Sequence, residues 1–443
     1  MAFKRRCANQ FLNILFGSAF LFTSCVTMAD YNYSRIYSNL GGGRYSQVRM
    51  ELDENKSSIY TSRDKVLYLL DKGVLEHFEG LNQVSNESLS QSEKLMEDFS
   101  ATSITQTIAS GVTNDNVKDY AGEDFENIYT NIFMALNYLA LQKNESAMVE
   151  VRRFDNKLKL LKQKYNAEVD NLNSESEVKV KNVSVQFSDS ALARYLSLLL
   201  YRADGDFGNA EVDQRFIAKA FKSQPSLYPF EIPSCVKDEL SAPKDMARLN
   251  VIAFSGRAPV KKENVIRVPW DFNHWYKLAL PEMEKQPSHI NRIEVEVFNK
   301  NSLEQKKFEL EKIESIEDIA LDTFQRNYSL IFAKSLARSI ARTAINSGLQ
   351  QVSNDKDTAP EVALLLGTFS FIHQLATEFI ERADVRCSRY FPATASVSGI
   401  NLEPGNYTVK VNFCRGKFVQ YSQEKDVNLV AENLNLVEAA CLR

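Results

Sequence analysis

The side chains best suited to chemistry in this chain are few and scattered. There are four histidines, His77, His274, His289 and His373, and none pairs with another at the i, i+4 spacing of a helix-borne metal site. His274 stands between Trp270 and Trp275, in a stretch that reads as a loop. This trio is the candidate ligand contact, because aromatic rings at a pocket rim can stack on sugar rings. The partners a histidine needs for acid–base work are not visible beside it. His77 falls on a helical pattern and reads as a packing residue. Gly41-Gly42-Gly43 lacks the Lys-Ser/Thr ending of a phosphate loop and reads as a turn. Arg152 and Arg153 beside Glu150 could take a carboxylate in their guanidinium forks, although a salt bridge between helices is the blander use of them. Asp384 and Arg386 read as an ion pair that locks a long helix to a final sheet. Lys334, Arg338 and Arg342 recur along one helix side, as a solvated face does, or as a contact with anionic lipid or a partner would. No catalytic residue, metal set or cofactor follows from these patterns.

The six cysteines are Cys7, Cys25, Cys235, Cys387, Cys414 and Cys441. Cys7 and Cys25 lie at the two ends of a secretory-type leader. Lys4, Arg5 and Arg6 make a basic start, and the apolar stretch from Phe11 to Phe22 follows. That stretch is interrupted by Asn13, Gly17 and Ser18 and is shorter than the roughly 20 apolar residues of a membrane span. Leu21-Phe22-Thr23-Ser24-Cys25 resembles a bacterial lipobox, which implies that Cys25 is lipidated and becomes the first mature residue. Phe22 departs from the usual leucine at its position. The alternative is an ordinary signal peptide cleaved near Ala29. Val26 follows the cysteine; by resemblance to enterobacterial lipoproteins, the lack of aspartate there implies an outer-membrane anchor facing the periplasm, with the cell surface also open. An exported chain then carries four further cysteines, Cys235, Cys387, Cys414 and Cys441. Two disulfides in any of three connectivities are candidates, and four free, partly buried thiols are the alternative. Their spacing matches no zinc pattern.

Composition is that of a globular protein with sizeable cores: 443 residues, 44% hydrophobic and 25% charged. The formal net charge of −4 becomes more negative once the leader's three cations are removed. Such a chain lacks the basic footprint of a nucleic-acid binder.

Two textures divide the mature chain. Residues 25–240, after a signal peptide over 1–24, are helical in pattern and contain weak repeats. Leu67 to Gly73 opens an amphipathic helix, Gly80 follows, and Ser85, Leu89 and Ser92 recur on a second face. Gly43-Arg44-Tyr45 with Val48, then Ala135, Tyr138, Gln142, Ala147 and Val151, fit the same template. So do Leu198, Tyr201, Gly205, Phe207 and Ala210, with Pro225 closing the unit. This is similar to the tetratricopeptide pattern, at irregular spacings of about 37 and about 62 residues. An array of such hairpins leaves a concave groove for a protein partner; a helical bundle shares the periodicity without the groove. Lys157 to Asn171 reads as one long charged helix, and Leu172 to Asn182 as a loop.

Residues 245–443 mix strands and helices. Strands are expected over 248–254, 265–268 and 292–298, with a turn over 255–263. Long helices follow over 316–349 and 360–383, then strands over 395–400, 407–413 and 426–437, with Pro404-Gly405-Asn406 as a turn. The second long helix is strongly apolar, yet His373, Gln374 and Glu378 favour a buried core helix over a membrane dip. The fold class is therefore α+β, mostly α: tetratricopeptide-like repeats, then a mixed α+β domain with two long helices and a C-terminal antiparallel sheet.

The matching segments are Leu67 to Gly80, Asp119 to Glu126, Ala135 to Arg153, Gly256 to Lys261, Leu278 to Pro281, Ala383 to Arg386 and Leu402 to Tyr407. In this order they resemble a family of uncharacterised bacterial lipoproteins with a tetratricopeptide-like front half. The chain departs from the family at Cys387. The resemblance implies an envelope location. It implies as partner another envelope protein, such as a lipoprotein resembling curli-secretion or penicillin-binding-protein-activator components, and membrane contact through the lipid anchor. The expected function is a non-catalytic scaffold or assembly factor; a cell-wall or glycan ligand pocket near Trp270, His274 and Trp275 is the alternative.

Overall fold

The computed structural model describes residues 31–105, 118–175, 186–269, 275–302, 304–354 and 382–443. The leader with Cys25, the pair Trp270 and His274, His373 and nearly all of the second long helix expected over 360–383 lie outside the described residues.

The fold is mixed α+β, with helix exceeding strand. Short helices α1 (Ser34–Gly41), α2 (Tyr45–Glu54) and α3 (Lys56–Ile59) lead into three helical hairpins. These are α4 (Lys65–Glu79) with α5 (Asn82–Thr105), α6 (Asp124–Ala140) with α7 (Asn144–Glu175), and α8 (Ala191–Ala203) with α9 (Phe207–Ser223). Each hairpin turns on a left-handed residue: Gly80 at φ 86°, Gln142 at φ 58° and Gly205 at φ 75°. At Gly80 the reversal is closed by Gly80 N–H donating to His77 O and Leu81 N–H to Glu76 O, both at 2.9 Å. The helix starts are as legible: Ser190 caps α8 and Asp206 caps α9 through side-chain oxygens, and Glu123 with Glu126 forms a reciprocal box at α6. Close approach within the first hairpin depends on Gly73, where a Cβ would meet Leu89 at 2.7 Å. Ser85 and Ser92 donate to the Gly73 and Val66 carbonyls, so the small residues of the repeat pattern are where α4 and α5 meet.

After α10 (Ser234–Asp238) the strands are β1 (Ala247–Ser255), β2 (Val260–Pro269), β3 (Trp275–Glu284), β4 (Arg292–Asn299), β5 (Gln305–Glu309) and β6 (Glu311–Ser315). The long helix α11 (Ile316–Asn354) precedes β7 (Thr394–Leu402), β8 (Gly405–Arg415), β9 (Phe418–Leu429) and β10 (Asn435–Cys441). One sheet has the order β10-β1-β7-β6, a second β5-β4-β8-β9, and β2 with β3 forms a separate ribbon. None of the described helices is long and apolar enough to cross a membrane.

The layers stack as helices, first sheet, second sheet. β1 is buried along its whole length, as a strand covered on both faces must be. Its Ile252 and Phe254 pack with Phe133, Phe391 and the inner helices. Its alternate residues Leu249, Val251 and Ala253 pack with Val295, Val409 and Val411 of the second sheet. α11 joins the helical core through Ile316, Ile319 and Phe324. It rests on α7 through Leu330 and Ala333 against Tyr165 and Val169, and carries the ribbon on Tyr328, Ile331 and Leu336.

The expected C-terminal antiparallel sheet does not form as one unit. β7 runs antiparallel to β1, β8 and β9 belong to the second sheet, and β10 pairs parallel with β1. The stretch 426–437 is two strands, because the backbone turns at Glu432 (φ 52°). Asn435 there binds Val430 N–H and O, and the chain crosses from one sheet to the other. The expected turn over 255–263 ends early, with β2 starting at Val260, and α7 runs to Glu175, into the stretch read as a loop.

Candidate functional site

The densest chemistry lies where the hairpins meet the first sheet and the segment after residue 382. Each inner helix sends polar groups across. His77 of α4 bonds Asn137 through Nδ1 at 2.8 Å and Glu438 of β10 through Nε2 at 2.7 Å. Burial opposes a charge on its imidazole, but the Glu438 carboxylate outweighs it and holds the pKa above its ordinary value. Tyr129 of α6 donates to Glu314 of β6 at 2.5 Å. Tyr195 of α8 accepts from Asn250 of β1 at 3.1 Å, and Arg202 donates to Asn250 at 3.0 Å.

Three of the buried carboxyls at this joint have raised pKa values. Asp71 accepts from Ser388 Oγ at 2.5 Å and Tyr60 Oη at 2.7 Å; burial pushes its pKa up to about 8. Glu126 accepts from Ser388 N at 2.5 Å, Tyr120 Oη at 2.7 Å and Glu123 N at 2.8 Å; burial and then the Glu123 charge push it up to about 7. Glu314 accepts from Tyr129, Ser190, Leu192 N and Tyr228, and burial raises it also. Such groups could hold or pass a proton if a substrate reached them. All three are buried, and their oxygens are taken up by hydroxyls and amides of the joint.

Beside them runs a ladder of ions. Lys261 meets Glu123 at 2.6 Å, and Arg386 meets Asp384 at 2.8 Å and Asp64 at 3.2 Å. Burial works against the Asp384 charge, but Lys261 and Arg386 hold its pKa down to about 2. The Asp384–Arg386 pair expected from the sequence is present. It is fastened to Asp64 before α4 and to the Lys118 carbonyl, on the helical side of the molecule.

An open cleft of about 460 Å3 lies at the edge of this joint, lined by Tyr37, Gly41, Gly42, Arg44, Arg257, His289 and Arg443 among others. Of Gly41-Gly42-Gly43, read as a turn, Gly41 ends α1 and Gly42-Gly43 make the turn after it. The Arg153 forks are taken internally, by Glu93 at 2.5 Å and Glu150 at 3.2 Å, while Arg152 reaches Tyr201 Oη at 3.3 Å. Lys334 pairs with Glu168 at 3.2 Å.

Of the expected ligand trio, Trp275 opens β3 opposite Pro269, whereas Trp270 and His274 lie outside the described residues. Cys235, Cys387, Cys414 and Cys441 are free and buried; the candidate disulfides are not formed. The thiols sit on α10, ahead of β7, at the end of β8 and at the end of β10, each packed into its own surroundings. Burial pushes Cys235, Cys387 and Cys441 up to about 12, far from the reactive thiolate range. Asp71, Glu314, Ser388 and Arg257 were not singled out by type or spacing, because each acquires its character from partners distant in the chain. Glu123 and Glu126 carried a local signal, the three-residue spacing of a capping box.

Compared with protein families, with curated proteins and with solved structures, the chain finds no match in any of the three.

Proposed function

We propose that this chain is a lipid-anchored protein of the bacterial cell envelope that acts by holding a partner rather than by catalysis. Cys25 would carry the lipid, and the hairpins α4–α5, α6–α7 and α8–α9 would serve as a tetratricopeptide-like scaffold. One observation carries this reading: Asp71, Glu126 and Glu314, three carboxyls whose pKa burial raises, are buried and bonded into the joint between hairpins and sheet, so they brace the architecture instead of facing a substrate.

The inner helices already pack on the chain's own sheet and α11, so the partner surface falls on the outer helices. Large apolar side chains are exposed there: Val84 on α5, Val149 and Leu160 on α7, and Phe207 at the start of α9. The partner would be another envelope protein, such as a lipoprotein resembling curli-secretion or penicillin-binding-protein-activator components, met at the periplasmic face of the outer membrane. Cross-linking in living cells followed by affinity purification tests this, with the native chain beside Cys25→Ser and the double change Val149→Glu, Leu160→Glu. The expected result is one dominant envelope partner, reduced without the anchor and lost with the double change. No partner in the native form would overturn the reading.

A further inference from the structure

The cleft is enclosed by the end of α1, the loop before β4, β9 and the last residues of the chain. The charged side chains that line it are of one sign: Arg44, Arg257 and Arg443 reach it, and no aspartate or glutamate side chain does, in a chain of net charge −4. Two arginines elsewhere show the contrast. Arg194 meets Asp155, Asp189 and Asp213, and Arg386 meets Asp64 and Asp384. In the cleft the acceptors are neutral. Arg44 donates to Asn39 Oδ1 at 2.9 Å and Ser38 O at 3.4 Å, where it complements the carbonyl end of α1. Arg443 donates to Gln420 O at 3.5 Å, and its main-chain oxygen accepts from His289 N and Ser288 Oγ. Arg257 has least. Its guanidinium lies 3.7 Å from the centre of the Tyr37 ring, and its Nε and Nη1 are buried without an acceptor. The hydroxyl of the same ring takes a bond from Arg389 at 2.8 Å. Two guanidinium charges thus crowd one phenol, half-withdrawn from water, an arrangement that is unfavourable until an anion completes it.

We propose that this cleft binds a phosphate group, with Arg257 as its principal partner and Arg443 and His289 completing the cradle. A phosphate supplies up to two negative charges and several acceptor oxygens, and the guanidinium is the side chain matched to it. The volume is within the range of small-molecule sites, which leaves room for whatever carries the phosphate. A phospholipid headgroup and a soluble phosphate ester share this chemistry. The neighbouring tip between β8 and β9, where Phe418 and Val419 are 76% and 52% exposed beside Lys417, is the feature a lipid surface would use.

The test takes the full chain in phosphate-free buffer. It is titrated calorimetrically with inorganic phosphate and with glycerol 3-phosphate, and sedimented with phosphatidylcholine vesicles with and without phosphatidylglycerol. Saturable binding in at least one arm is expected, about tenfold weaker for Arg257→Gln and weakened less by Arg443→Gln. Binding of either soluble phosphate assigns a soluble source. Binding confined to phosphatidylglycerol vesicles and weakened by Arg257→Gln assigns the headgroup. Removing an unpaired charge should leave the Tm without phosphate equal or higher, and at a given phosphate concentration Arg257→Gln should gain less Tm than the native chain. Should Arg257→Gln lower the Tm, the exposed Arg443 carries the comparison. The proposal is overturned if no arm binds, or if binding is the same in the native chain and both variants, as it would be if Lys417 and Phe418 alone held the vesicles.

Discussion

Replacing Asp71 by asparagine should flatten the dependence of stability on pH. Asp71 is fully buried and accepts from Ser388 and Tyr60. Burial moves its pKa from an ordinary 3.8 to about 8. Across that window the folded carboxyl keeps a proton that the unfolded one has released. The unfolded state therefore binds fewer protons, so stability falls as pH rises through the window and levels off above about 8. Each pH unit within it costs about 1.4 kcal/mol, and the full span is of order 5 kcal/mol, comparable to the whole stability of a domain. Glu126 adds the same sign between its ordinary 4.5 and about 7. Asparagine cannot ionise and still bonds both hydroxyls. In guanidinium denaturation from pH 5 to 8.5, the native midpoint should fall with pH. Asp71→Asn should lose more than half of that slope, matching or trailing the native chain at pH 5 and exceeding it at pH 8. Glu126→Gln should remove its own share of the slope below about pH 7 and leave that of Asp71. A native profile that is flat or rises, or an Asp71→Asn profile of unchanged slope, would refute burial as the ruling cause.

Glu314→Ala should lower stability by roughly 4 kcal/mol or more, because it strands Tyr129, Ser190, Tyr228 and the Leu192 amide; Glu314→Gln should cost only about 1–2 kcal/mol, and thermal melts separate the two. Arg202→Met removes one cation from the fully buried Glu239, 2.8 Å away, and leaves it to Arg248 and Asn250; the expected loss is roughly 2–4 kcal/mol by chemical denaturation. Alkylation mapped by mass spectrometry, without reductant, should find Cys235, Cys387, Cys414 and Cys441 unmodified in the native chain and all four modified after denaturation, since they are free and buried. A disulfide-linked peptide would contradict this.

What the sequence revealed follows the range of the interaction. Asp204-Gly205-Asp206-Phe207 spelled its turn because left-handed Gly205 and the Asp206 cap act over a few residues. β1 and β4 were legible from apolar content and alternation, and α11 from its long helical pattern. β3 was not, because its first residue Trp275 read as the end of a loop around His274 and the strand exists through pairing with β2. Nor was the destination of β7, β8 and β10, which depends on which sheet each strand joins. The repeat pattern found the contacts between α4 and α5 but not what covers the inner helices. Those side chains are partly polar, and only their partners on β1, β6 and β10 account for His77, Tyr129 and Tyr195. The arginine cleft left no signature, since Tyr37, Arg257 and Arg443 are far apart in the chain.

The polar joint also ties the hairpins to the strands. An inner helix surface carrying His77, Asn137, Tyr129, Tyr195 and Arg202 would be content in water, and apolar burial alone would not orient it uniquely. Opposed to Glu438, Glu314 and Asn250, the same groups admit one register, because any shift leaves a buried polar group without a partner. Specificity of this kind is obtained from long-range contacts, whose loop-closure cost slows folding. The result is a braced interior whose ionisable groups face inward. A change at the outer helices or the arginine cleft should therefore alter binding without disturbing the joint, whereas a change at the joint should alter stability first and binding only through it.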